Sequence, residues 1–313
     1  MESTGTPCVT VAASACYSDS SKYLHLEVFT ARTHGRNGDV ALPEASVQLY
    51  TLAEEFSADM SGSLDKLAAM GLRNVEAFDF VRRPDEIRTA LDGAGLASPT
   101  GHAPLLSDEL WTPDGSIPTP APEVVFEAAA KVGLTTVIDP FVAPERWFTA
   151  DGVADIAERL NALVETAAGF GLSVGYHNHA QEFVKSFDGQ TAFERFVALT
   201  DPRVQIELDL YWALVGGQDA AALTAALGDR LVAVHVKDGI APAVNPFGPD
   251  AGEFGSASLD QRRPGGGDVP LAAALQAASA VQYAVIEYDN APGDVFDDIA
   301  ASLAFLRDGG LVR

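Results

Sequence analysis

From Ser46 onward the chain alternates short, apolar, β-branched runs with longer stretches of helical period, and it does so eight times. The runs are 46–51 (SVQLYT), 74–80, 98–103, 135–141, 172–179 (LSVGYHNH), 204–210 (VQIELDL), 231–237 (LVAVHVK) and 283–289 (YAVIEYD). Most are nearly continuous in their apolar character, which suits parallel strands covered on both faces. Helical stretches follow each run, opening on residues such as Pro84 and closing on glycines such as Gly71, as helix caps require. Eight strand–helix units over about 265 residues match the count and length of a (β/α)8 barrel, the TIM barrel. A doubly wound dinucleotide fold is disfavoured, because SVQLYTLAEEF holds no glycine with which to approach a phosphate. The expectation is a single α/β barrel domain over 46–313, preceded by an N-terminal extension over 1–45.

Composition narrows the function classes. Hydrophobic residues make up 47% of the 313 and charged residues 20%, a balance that buries a large core. Twenty basic residues against 44 acidic ones give a formal charge of −24, which repels nucleic acid and anionic membrane alike. No run approaches the ~18 apolar residues of a membrane-spanning helix. The extension carries a short apolar patch, VTVAASAC, with no basic stretch ahead of it, a weak match to a secretory leader. The only cysteines, Cys8 and Cys16, lie there too, so neither disulfides nor thiolate-bound zinc can organise the barrel. A cytoplasmic protein acting on a small molecule is the reading these features favour.

Four of the six histidines, His102, His177, His179 and His235, fall in the C-terminal halves of predicted strands. So do Glu76, Asp139, Glu207, Asp209, Glu287 and Asp289. Any one of them is as easily a satisfied buried polar group. Together they gather at the barrel face where strand ends converge, and burying so many ionisable groups without partners would cost several kcal/mol each. A bound cation resolves that cost. Imidazole and carboxylate without thiolate suit one divalent ion, Mn²⁺ first, with Co²⁺, Zn²⁺ or Mg²⁺ as alternatives. The candidate ligands are His177, Asp209, His235 and Glu287, one from each of strands five to eight. Strand residues two apart share a face, so His179 lies beyond His177, and Glu207 reads as a buried carboxylate behind Asp209.

The segments SVQLYTL, NVEAF, YHNHAQEF, ELDLYW, HVKD and IEYDN resemble those of the sugar phosphate isomerase/epimerase family, the xylose isomerase-like TIM barrels. That superfamily also holds inosose dehydratases, tagatose and psicose epimerases, and endonuclease IV. The resemblance spans residues 46–310. It implies one divalent metal held by Glu, Asp, His and Glu from strands five to eight, a small sugar or polyol as substrate, and compatibility with a homo-oligomer. Asp209, His235 and Glu287 match the last three positions. His177 stands where the first glutamate usually does, which departs from the scheme in which two metal-bound glutamates exchange a proton across the substrate.

The expected reaction is isomerisation or epimerisation of a keto-sugar or sugar phosphate, with dehydration or lysis of a keto-inositol or 3-keto-glycoside as the alternative. Glu287 would move the proton, and His177 or His179 would serve the opposite face or a leaving hydroxyl. Lys237 would neutralise the developing oxyanion. Glu76 and His102 would bond substrate hydroxyls, while Trp212 and Phe141 would wall the C–H face. Arg262 and Arg263, in the long stretch 238–267, are the residues suited to clamp a phosphate or carboxylate. A DNA-repair nuclease on the same fold would need more histidines and a basic groove. A non-catalytic sugar-binding protein would not need a ligand quartet.

Overall fold

The computed structural model describes residues 41–112, 115–248 and 259–313. The expected extension and both cysteines lie outside the described residues, apart from the last few positions before Ser46. Eight parallel strands run β1 (Glu44–Val47), β2 (Asn74–Ala77), β3 (Ala97–His102), β4 (Thr136–Asp139), β5 (Ser173–His177), β6 (Gln205–Asp209), β7 (Leu231–Val236) and β8 (Tyr283–Ile286). They pair in the order β1-β8-β7-β6-β5-β4-β3-β2, and a bridge between Gln48 and Glu76 joins the two ends into a nearly closed TIM barrel. Outside it lie α1 (Met60–Ala69), α2 (Pro84–Ala94), α3 (Pro122–Val132), α4 (Ala150–Gly169), α5 (Ala192–Leu199), α6 (Ala220–Leu227), α7 (Leu271–Ala277) and α8 (Val295–Asp308).

Local chemistry sets the ends of these elements. In α2, Pro84 occupies the first turn and Gly95 closes the helix at φ 68°, a left-handed position that favours glycine. Thr191 and Glu194 form a reciprocal capping box on α5. The first strand differs from expectation: it spans 44–47, and the chain then turns through a 3-10 segment at Leu49–Leu52. Gln48 makes that turn by accepting the Tyr50 N–H at 3.1 Å, so the run 46–51 cannot stay extended. The β6 run likewise stops at Asp209, whose Oδ1 accepts the Trp212 N–H at 2.7 Å and caps a short helix, Leu210–Val215.

Side chains alternate across the barrel wall. Val47, Val75, Val137, Val174, Ile206, Leu208, Val234 and Ile286 are all buried in the large apolar core that includes the helices. Successive residues of opposite parity face the barrel interior, and many are polar: Ser46, Gln48, Glu76, Thr100, His177, Glu207, Asp209 and His235 are all buried. Two residues below His235 and Glu287, Ala233 and Val285 belong to a small separate apolar cluster. Among the described residues three additional antiparallel hairpins lie in strand-to-helix connections. One of them, Asp238–Ile240 with Asp260–Arg262, gives the stretch after β7 a structured base. Asp238, wholly buried, fastens it by accepting N–H bonds from Gly239, Gly265, Gly267 and Val269 at 2.8–3.1 Å.

Candidate metal centre

Strand register assembles the site. Glu207 pairs with His177 across β5 and β6, and Asp209 pairs with His235 across β6 and β7. One ligand atom each from His177, Asp209, His235 and Glu287 lies within 4.8 Å of the others, and all four residues are buried. The quartet expected from the sequence therefore meets at the C-terminal end of the barrel.

Lys237 is the cation beside it. Its Nζ lies 3.0 Å from Asp209 Oδ2, 2.7 Å from Glu287 Oε2 and 3.0 Å from Asp289 Oδ2, with the Trp212 ring 5.7 Å away. Burial opposes its charge, but those three carboxylates outweigh burial and hold the ammonium well above its ordinary pKa. Gln261, from the second strand of the β7 hairpin, steadies Asp289 by donating to its carboxylate and accepting its N–H at 2.9 Å.

Behind the quartet lies an inner polar layer. His102 Nε2 sits 2.6 Å from Glu207 Oε2 and 3.2 Å from Glu76 Oε1. His235 Nε2 lies 2.8 Å from Glu76 Oε1 and 3.1 Å from Glu207 Oε2, and its Nδ1 is 2.6 Å from Glu287 Oε2. Gln48 donates to Glu76 at 2.7 Å. Glu76 and His102, the residues expected to bond substrate hydroxyls, contact each other and other buried side chains of this layer. Glu76 is wholly inaccessible.

Electrostatics divides the imidazoles. Burial and the neighbouring His235 drive His177 down to about 3, and burial drives His179 well below its ordinary value, so both are neutral with a nitrogen lone pair available. For His235, burial is overcome by Glu207, Glu287 and Glu76, which raise it well above 6.5. Burial also raises Asp209 to about 6, against the pull of Lys237 and His235. Glu287 is held well below the usual carboxylate range, since Lys237 and His235 outweigh its burial.

The remaining expected residues fall in two places. His179 and Trp212 stand at the mouth with ring centroids 5.2 Å apart; Phe141 meets His179 edge-on at 5.4 Å, and Phe247 meets Trp212 at 5.7 Å. His179 Nδ1 and Trp212 Nε1 are buried without a hydrogen-bond partner. Arg263 instead extends to Asp298 of α8 at 2.6 Å, and Arg262 to Asp260 at 2.7 Å. Each loop guanidinium, expected to clamp a phosphate or carboxylate, is paired with a carboxylate of the chain itself.

Several residues that shape the site were given no role by the sequence. Asn178 locks β5 to β6 by accepting the Asp209 N–H at 2.9 Å. Asp139, although at a strand end, accepts N–H bonds from Leu105, Leu106 and Phe141 and organises the β3 and β4 connections. Asn245 donates to the Ala180 carbonyl at 2.9 Å, which brings the β7 connection and Phe247 over the β5 connection. Asp139 carried a signal in the sequence as a strand-end carboxylate, and Gln48, which donates to Glu76, as a polar residue at an inward position of a strand.

A family model described as xylose isomerase-like TIM barrel matches residues 64–309. Among solved structures, a sugar phosphate isomerase/epimerase from Parabacteroides distasonis is similar at a TM-score of 0.67 and 21% identity, over 90% of this chain and 99% of that one. The probable 3-DHS dehydratase AsbF from Bacillus anthracis is similar at 0.61 and 13%, over 84% and 98%. The IOLI protein, described with a bound zinc atom, is similar at 0.60 and 15%, over 85% and 97%. These identities speak to the fold. No curated protein sequence matches the chain.

Proposed function

Because the chain belongs to the xylose isomerase-like TIM barrel family, we propose that it is a divalent-metal-dependent isomerase or epimerase acting on a keto-sugar. The observation that carries this reading is the convergence of His177, Asp209, His235 and Glu287 within 4.8 Å. Their donor chemistry fits a divalent cation, Mn²⁺ before Co²⁺, Zn²⁺ or Mg²⁺. Buried oxygens without a hydrogen-bond partner support the fit: Asp209 Oδ2 in the quartet, whose neighbouring cation is Lys237 Nζ at 3.0 Å, and Glu76 Oε2 and Glu207 Oε1 in the layer behind it. The carboxylates gathered here outnumber the one lysine among them, which favours a further positive charge. When bound, such an ion supplies Lewis acidity toward neighbouring oxygens of a substrate.

The chain's own groups supply the rest. His177, neutral through burial, offers a lone pair where a protonated ring could not. Glu287 is ionised and His179 neutral, so both rest in the form that accepts a proton from carbon. Protonated Lys237 supplies positive charge to the oxygen on which negative charge builds. Trp212, Phe141 and Phe247 offer apolar ring surface to the C–H face of a sugar, and the Trp212 Nε1–H offers a donor to one of its hydroxyls. With both loop arginines bound to carboxylates, an uncharged keto-sugar suits this lining better than a sugar phosphate.

Dehydration is the second reading, and His177 favours it. In the scheme implied by the family resemblance, two metal-bound glutamates exchange a proton symmetrically; an imidazole at the first position removes one of them. A panel of keto-sugars and inosose, assayed with Mn²⁺ in D₂O and followed by NMR, tests both. The expected result is deuterium exchange next to the carbonyl with inversion or carbonyl migration. Loss of water to an enol product would establish the second reading, and purified protein that neither holds metal nor exchanges any substrate would refute both.

A further inference from the structure

We propose that Glu207 is the positioning residue of this centre, fixing which ring nitrogen of His177 and of His235 is left free to bind a metal. The proposal rests on the metal reading above and concerns a residue outside the quartet. A single oxygen, Glu207 Oε2, lies 2.6 Å from His102 Nε2, 3.1 Å from His177 Nδ1 and 3.1 Å from His235 Nε2. An ionised carboxylate only accepts hydrogen bonds, so each nitrogen that bonds it must carry a proton. A neutral imidazole has one N–H and one lone pair. The proton on Nδ1 therefore leaves Nε2 of His177 as its ligand atom, and the proton on Nε2 leaves Nδ1 of His235. On the far side of that ring His235 Nδ1 also meets a carboxylate, Glu287 Oε2 at 2.6 Å, so without an ion both nitrogens carry protons, and an ion held between Nδ1 and Glu287 would take the place of the Nδ1 proton while Nε2–H stays on its inner acceptors.

The inner residues admit a rival use. Ligand atoms of His102, His177, Glu207 and His235 also lie within 4.8 Å of one another, so a cation could sit among them instead. That seat shares His177 and His235 with the outer one, and a neutral ring cannot give its single lone pair to both. The outer set brings two carboxylates, Asp209 and Glu287, and the inner set one. The outer seat is thus the better match for a divalent ion, and the inner carboxylate becomes the acceptor that orients its imidazole ligands.

The strand register and the His177 departure point the same way. Glu207 stands directly across from His177 in the β5–β6 pairing and two residues before Asp209 on the same face. A carboxylate ligand binds through either oxygen without choosing a tautomer. An imidazole in that place must be protonated on the correct nitrogen, and Glu207 is the group that makes the choice. Glu76 seconds it on His235 alone, through Oε1 at 2.8 Å, so His177 depends on Glu207 more than His235 does.

The test compares wild type with Glu207→Gln. In zinc-loaded wild-type protein, ¹⁵N NMR is expected to find the ring proton of His177 on Nδ1 and that of His235 on Nε2. Cobalt titration followed by d–d absorption is expected to show one equivalent bound, with affinity reduced about 10- to 100-fold in Glu207→Gln. Melting temperature and circular dichroism establish that the variant is folded, and should it not fold, the wild-type tautomers decide the question alone. Reversed tautomers, a second equivalent of cobalt held as tightly as the first, or unchanged affinity in a folded Glu207→Gln would overturn the proposal while leaving the metal reading intact. Wild-type protein that binds neither ion would overturn both.

Discussion

The two faces of one barrel wall have opposite chemistry. Outward, Val174 and Tyr176 of β5 pack against helices, with Tyr176 against Trp147 and Phe196 at ring distances of 5.4 and 5.0 Å. Inward, the same strand presents Gly175 and His177, and its neighbour presents Glu207 and Asp209. The outer layer is stabilised by area removed from water and by dense packing, which are non-directional. The inner layer holds buried ionisable groups whose cost is offset only by directed contacts, such as Glu207 Oε2 with three imidazoles. Stability and function are thereby separated by a single residue step along each strand. Substitutions one residue apart should fail in different ways.

The largest effect belongs to the inner face. His235→Ala removes a member of the quartet and takes from Glu76, Glu207 and Glu287 one of the groups that offset their charge. Its metal content, measured by elemental analysis, is expected to fall to background and turnover with it. Retention of one equivalent of metal would break the division between the two faces. Next comes the outer face. Phe196→Ala deletes a ring packed on Trp147 and Tyr176 and is expected to cost about 3–5 kcal/mol in denaturant unfolding. Metal affinity in that variant should be unchanged; a parallel loss of affinity would show that the faces are coupled.

The smallest effect lies where the faces meet. Glu182, wholly buried in the β5 connection, accepts the Tyr176 hydroxyl at 2.6 Å and the His179 N–H at 3.1 Å. Burial raises it from 4.5 to about 7. Between those pH values the folded chain holds a proton that the unfolded chain has released, so stability falls as pH rises through this window. Glu182→Gln should flatten that fall, by up to about 3 kcal/mol at pH 7 and above. Unfolding curves at pH 5 and pH 8 measure the difference, and an unaltered slope in the variant would place the titration elsewhere.

Much of this was legible in the amino-acid order because barrels repeat. The eight runs declared their strands, and glycines and prolines declared the helix ends, since those signals act over a few neighbouring residues. The quartet could be named because strand ends converge on one face whatever the details of packing. Glu76 and His102 could not be placed, because a strand-end position does not tell whether a side chain meets a substrate or another buried group. Arg263 shows the same limit: Asp298, its partner, is 35 positions away on α8.

The sequence by itself determined the barrel, the face on which polar groups gather, and the four side chains that meet there, because periodicity and strand parity are properties of the local chain. Only the tertiary structure decided what those groups touch. Glu207 became a shared acceptor, Lys237 a buried cation among three carboxylates, and Arg263 the partner of a distant acid. Such pairings depend on strand register and loop closure, which bring together residues that no local pattern connects.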